Sequence, residues 1–229
     1  MRTIRILFCL LALVSCADVY TARGVYHRVK AGENLITLSE TFQVPLQDLA
    51  ELNNIEDPGS LKIGEQIFIP GVRAARFESS QRRRRKGKAS GGSGKVSLPT
   101  IETDHGRFAW PLKGELSSTY GVRRGRRHDG IDVRAPRGTP IRASSPGKVV
   151  YSRRMQGYGN LILLKHSGNF FTVYAHNSVN LVKKGAKIAK GQVIAKVGST
   201  GRATGPHLHF EVREGRKPRN PLFFLPKVK

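Results

Sequence analysis

The sequence predicts two small domains in tandem: a β-α-α-β unit over residues 24–71 and a mainly antiparallel β-sandwich over residues 106–226, joined by a basic flexible linker over 72–105. Three observations lead there. A chain of 229 residues is long enough for two small domains and too long for one small module. The run Arg82-Arg83-Arg84-Arg85-Lys86-Gly87-Lys88, followed by Ala89-Ser90-Gly91-Gly92-Ser93-Gly94, has no apolar periodicity and repels itself, as a tether does. Apolar residues recur at helical spacing only ahead of that run, and alternate as strands do behind it.

In the first domain, Val25-Tyr26-His27-Arg28-Val29 alternates as a strand. Leu35, Leu38 and Phe42 fall on one helical face, as do Leu46, Leu49 and Ala50 after a turn at Val44-Pro45. Gln66-Ile67-Phe68-Ile69-Pro70 supplies the closing strand. In the second domain, short strands are expected around Lys148–Tyr151, Leu161–Leu164, Phe170–Tyr174 and Val193–Ala195, with Gly, Pro and Asn marking the turns.

Apolar residues make up 38% and charged residues 24%, compatible with a packed core. The 40 basic side chains against 16 acidic ones call for polyanionic surroundings. Arg2 and Arg5 precede the apolar run Ile6–Val14, about half the roughly 20 residues a spanning helix needs, so it reads as a secretory signal. Beyond such a signal no nucleic acid waits, and cell-wall carboxylates or anionic lipid are the expected counter-ions. Two cysteines exclude both a disulfide-stapled scaffold and a Cys-rich zinc module. Any metal must therefore use histidines and carboxylates.

The second domain offers them. His128 and Asp132 are four apart in Arg127-His128-Asp129-Gly130-Ile131-Asp132-Val133, which is expected to lie on one strand with both side chains on one face. His207 and His209 share a face of another strand, while Leu208 and Phe210 turn to the core. If those strands are neighbours, a carboxylate and imidazoles converge, the ligand types of a catalytic Zn²⁺ with an open position. His176 ends a third apolar strand, whereas His166, His27 and His105 read as structural. Gly198, Gly201 and Gly205 lead into the His207 strand, where glycine lets another backbone approach.

Resemblances sharpen these expectations. Leu13-Val14-Ser15-Cys16 resembles the lipobox of bacterial lipoproteins, which implies signal cleavage after residue 15, a lipid on Cys16 and a membrane anchor. Ala17 behind it implies outer-membrane sorting, facing the periplasm. The stretch YHRVKAGENLITLSETFQVPLQDLAELNNIEDPGSLKIGEQIFIPG resembles a LysM module, whose partner is peptidoglycan or chitin. By that resemblance the glycan groove lies near Gly32, Glu33, Asn34, Ile55, Glu56 and Asp57. RRHDGIDVRAP, GYGNLILLKHSGNFFTVYAHN and VGSTGRATGPHLHFEV resemble the lysostaphin-type (LytM-domain) zinc metallopeptidases that cut peptidoglycan cross-links. The resemblance implies Zn²⁺ held by His128, Asp132 and His209, with His176 and His207 as catalytic non-ligands. Which of the two is base and which oxyanion donor is left open. The layout, and the ending NPLFFLP, are also similar to the NlpD-type activators, which open a cell-wall amidase at division and typically have lost these ligands. The complete histidine set here favours a hydrolase; the layout favours an activator.

Overall fold

The computed structural model describes residues 23–71 and 99–227. Cys16 and residues 72–98 lie outside the described residues. Strand β1 (Gly24–Arg28) pairs antiparallel with β2 (Gln66–Pro70), enclosing helices α1 (Leu35–Phe42) and α2 (Leu46–Asn53), in the expected β-α-α-β order. Helix α1 starts at Asn34, whose Oδ1 accepts the Thr37 N–H at 2.8 Å while the Thr37 hydroxyl accepts the Asn34 N–H at 3.0 Å. This reciprocal cap satisfies two orphan donors of the first turn. Leu35, Leu38, Leu49, Ile67 and Ile69 fill the space between helices and strands. Asn53 locks α2 to β2 by bonding both backbone groups of Phe68.

The second domain is antiparallel throughout. Its main sheet runs β12 (Lys187–Ile188), β8 (Gly147–Met155), β9 (Gly159–Lys165), β10 (Phe170–Asn177), β14 (His207–Glu214), β6 (Ile131–Arg134) and β3 (Glu115–Ser118), with β15 (Lys217–Arg219) added to β14. A second sheet, β11 (Val179–Asn180), β13 (Val193–Lys196) and β7 (Pro140–Arg142), contributes Ile141, Ile194 and Ala195 to the core. The hairpin of β4 (Gly121–Arg123) and β5 (Arg126–His128) stands apart from both. Along β14, Leu208, Phe210 and Val212 pack into that core, so His207, His209 and Glu211 project from the opposite face.

The end of the expected linker departs from a free tether. Gln47 on α2 bonds both backbone groups of Glu102, and the Asp104 and Gly106 N–H groups donate to the carbonyls of Phe223 and Phe224. Ile101 packs against the core. Backbone partners and one apolar anchor hold this stretch where composition suggested motion. Buried apolar residues of both domains form one contiguous cluster.

His166 is structural, as expected. Its Nδ1–H donates to the Pro146 carbonyl at 2.7 Å and its Nε2 lies 2.7 Å from the Thr172 hydroxyl. Burial holds its pKa below the ordinary value of about 6.5. The unfolded chain therefore binds a proton at this site more readily than the folded one. Its contribution to stability is complete above about pH 6.5 and is lost as pH falls below that value. Urea unfolding midpoints measured between pH 7 and pH 5 should fall with acidification, and the slope should shrink in His166→Gln.

Candidate metal centre

His128 closes β5, and its backbone is the register partner of Gly121 in β4. Its Nδ1–H donates to the Thr119 carbonyl at 2.8 Å, which turns Nε2 toward the main sheet. Asp132 lies on β6, directly opposite His209 of β14. The expectation that His128 and Asp132 share one strand is therefore corrected: the chain leaves one hairpin and enters another sheet at Asp129-Gly130. A Cβ at Gly130 would lie 2.3 Å from the Phe210 carbonyl oxygen, so only glycine allows this close passage. The expectation that the His207 strand neighbours the Asp132 strand holds.

Three ligand-type atoms meet at this point. His128 Nε2 is 3.1 Å from Asp132 Oδ1 and 3.2 Å from His209 Nδ1, and His209 Nδ1 is 2.9 Å from Asp132 Oδ1. A tetrahedral Zn²⁺ with bonds of about 2.0–2.1 Å separates its ligand atoms by roughly 3.3 Å. The outer nitrogens are already committed. His128 Nδ1–H goes to Thr119, and His209 Nε2–H to Glu211 Oε1 at 3.1 Å. With both rings neutral, two lone pairs and a carboxylate oxygen face one another, an arrangement that needs a cation between them. The residues fit a zinc ion, and the outer hydrogen bonds are the kind that fix a ligand's tautomer.

The charges agree. Burial opposes a proton on His209, yet Asp132 and Glu211 on either side overcome it and lift its pKa to about 9. Burial likewise opposes ionisation of Asp132, but the hydrogen bonds from His128 and His209 hold its carboxyl well below the usual range. Glu211 was not anticipated. It is fully buried and accepts from Tyr158 OH at 2.7 Å, Arg213 at 2.5 Å and His209. The even spacing of 207, 209 and 211 on β14 carried the signal for it; the Thr119 carbonyl left none.

His176 and His207 flank this cluster, their ring centroids 4.8 Å apart. His176 sits at a register shift in β10 with φ 63°, a left-handed backbone that histidine adopts at a cost of about 1 kcal/mol or more. Its Nδ1–H donates to the Thr200 carbonyl at 2.7 Å, and His207 Nδ1–H donates to Gly205 at 2.8 Å. Burial first, and then the neighbouring His209, push the His176 pKa down to about 4, so that ring is neutral near pH 7. The neutral His176 ring thus accepts at Nε2.

At the LysM end, the Leu35 N–H donates to the Pro58 carbonyl at 3.1 Å, bringing the start of α1 beside the loop after α2. Several residues expected there as glycan contacts serve the fold. Asn34 caps α1, Ile55 is buried in the core, and Glu33 accepts from the Lys30 N–H and meets His27 at 2.6 Å. Glu56 pairs with His105 and Lys227, and Asp57 accepts from the Gly59 N–H. Gly32 stays exposed in the preceding turn.

A LysM domain model matches residues 27–70, and a model of peptidase family M23 matches residues 126–221. The chain is 34% identical over 214 residues to the uncharacterized lipoprotein YgeR of Escherichia coli, a match covering 92% of this chain and 84% of that one. The chain is a LysM protein of peptidase family M23. It is also similar to the murein hydrolase activator NlpD of Escherichia coli, 40% identical over 121 residues, covering 52% of this chain and 31% of that one. It is 44% identical over 113 residues to the DD-carboxypeptidase/endopeptidase Mpg of Neisseria meningitidis, covering 47% of this chain and 26% of that one. The chain thus spans under a third of the length of these two relatives. Family M23 peptidases depend on zinc, and among the described residues His128, Asp132 and His209 form the cluster that could hold it. No helix among the described residues is long and apolar enough to cross a membrane.

Proposed function

We propose that this LysM–M23 protein is a peptidoglycan hydrolase that cuts amide bonds in peptide cross-links, with His128, Asp132 and His209 holding Zn²⁺. The observation that carries this reading is the convergence of those three ligand atoms with the two further imidazoles, His176 and His207, at their side. A bound zinc supplies a Lewis acid for the scissile carbonyl and a water whose pKa lies near 7. The chain's own residues do the rest. Asp132 lowers the charge of the site, and Thr119 and Glu211 keep both ligand rings in the tautomer that offers a lone pair inward. His176 and His207 each take a proton at Nε2 and, once protonated, donate from the same atom to an oxyanion or a leaving amine. In this reading the LysM module holds glycan, and a lipid on Cys16 places the protein at the outer membrane, facing the periplasm.

A second reading is supported by the likeness to NlpD: the M23 domain activates a cell-wall amidase by contact. Mature protein carrying Cys16→Ser, incubated with purified peptidoglycan, separates the two. Hydrolysis predicts soluble muropeptides whose masses report peptide-bond cleavage, lost on chelation and restored by Zn²⁺. Release only in the presence of an added amidase, with glycan strands freed of peptide, would replace the hydrolase with the activator.

A further inference from the structure

The contact between the two domains reaches the metal centre by a short path. Glu51, in the last turn of α2, is 2% exposed. Its Oε1 accepts from Arg219 Nε at 2.7 Å and from Gln47 at 2.9 Å, and its Oε2 accepts the Asn220 N–H at 2.9 Å. Asn220 is fully buried, and its Nδ2 donates to the Glu51 carbonyl at 3.0 Å and to Asn54 Oδ1 at 2.9 Å. Asn54 in turn donates from Nδ2 to the Tyr120 carbonyl at 3.1 Å. The next residue, Gly121, runs so close beneath α2 that a Cβ there would lie 2.4 Å from the Leu52 carbonyl oxygen.

The strand so covered is the one that orients His128. Gly121 is the register partner of His128, and Thr119, immediately before Tyr120, supplies the carbonyl that holds the His128 ring. Tyr120 is pinned from the other side as well, its hydroxyl donating to the Pro218 carbonyl at 3.1 Å. From Glu51 to His128 every step is a hydrogen bond or a chain neighbour.

Burying a carboxylate and a guanidinium costs desolvation that their attraction barely offsets, so such a pair contributes little net stability of its own. Here both Glu51 oxygens and the Asn220 amide find partners, the condition under which a buried polar network fixes one arrangement. Two modules that merely share a tether would leave these groups to water.

We propose that the LysM module is docked on the M23 domain as a fixed part of the support of His128, so that the Glu51–Asn54 turn sets how tightly the site holds its metal. The inference rests on the ligand set of the proposed function but not on hydrolysis, and applies equally to a zinc-bound activator. Removing an outer partner of a metal-bound histidine typically weakens metal affinity about 10–100-fold. Here the Thr119 carbonyl remains and only its backing is lost, so the lower end of that range is expected.

The test compares wild type, Glu51→Ala, Glu51→Arg and Glu51→Gln in the full mature chain. Zn²⁺ affinity is read by competition with a chromogenic chelator, and local opening by hydrogen exchange of the amides in 119–128. Glu51→Arg sets two guanidinium groups against each other and separates the modules even if Glu51→Ala leaves them together. Small-angle scattering reports the separation, and the LysM melting transition reports that the module stays folded. Zn²⁺ affinity should fall about tenfold in Glu51→Ala and further in Glu51→Arg, with faster exchange over 119–128. Glu51→Gln, which keeps the acceptor for Asn220, should recover most of the affinity. Separation of the modules with unchanged Zn²⁺ affinity and unchanged exchange would overturn the inference while leaving the hydrolase reading intact. A wild type that binds Zn²⁺ but digests nothing would overturn the hydrolase reading alone, and one that binds no Zn²⁺ would overturn both.

Discussion

Asp132→Asn should remove zinc from the protein and reduce hydrolysis of peptidoglycan to background. The carboxylate is the anion that faces both inward ring nitrogens, at 3.1 Å from His128 and 2.9 Å from His209. An amide of the same shape keeps the volume but removes the charge that compensates a divalent ion, and its carbonyl is a far weaker ligand. Loss of an outer partner costs about 10–100-fold in metal affinity, so loss of a ligand should exceed hundredfold. Chelator competition measures the affinity, and soluble muropeptide release measures the reaction. Because the substitution is nearly isosteric, a contact surface for an amidase would survive it. A variant that has lost zinc but still stimulates an added amidase would therefore decide for the activator.

Glu211→Ala should cause the largest loss of stability of any single substitution near the site. The carboxylate is wholly buried and neutralises Arg213 while bonding Tyr158 and His209. Without it, a partly buried guanidinium, a phenol and an imidazole lose one shared acceptor together. Breaking a buried pair from one side costs about 3–5 kcal/mol. For a chain of this size that corresponds to a fall in Tm of roughly 6–20 °C, measurable by calorimetry. The same variant should bind zinc more weakly, since the proton on His209 Nε2 is no longer fixed outward. An unchanged Tm would mean that water replaces the carboxylate without penalty.

The legible part of this molecule was whatever alternates or repeats locally. Leu208 and Phe210 turning inward placed His207 and His209 together outside, and the structure keeps that arrangement. The helical faces of Leu35, Leu38 and Leu49 likewise predict the small domain's core. His128 and Asp132 do converge, but not through even spacing on one strand. Gly130 lets the chain pass under Phe210 and change sheets, a tertiary contact that no local pattern encodes. Glu211 continued the visible alternation and was readable from it. Glu51 meeting Arg219 was not, because more than a hundred residues separate the partners and neither sits in a pattern that names the other. For the same reason residues 101–105 read as linker until Gln47 and Phe223 are seen to hold them.

The pinned ends around residues 72–98 change what that segment can govern. Gly71 bonds back to Arg23, and Glu102 is fastened to Gln47, so the covalent connection begins and ends on surfaces already joined. In the proposed docking, these contacts fix where the LysM module sits relative to the metal centre, and the covalent connection does not. If the LysM module holds glycan and the metal centre cuts its peptide cross-links, as proposed, the docked arrangement presents the strand to that centre at a set angle, as a vice presents a workpiece to a blade.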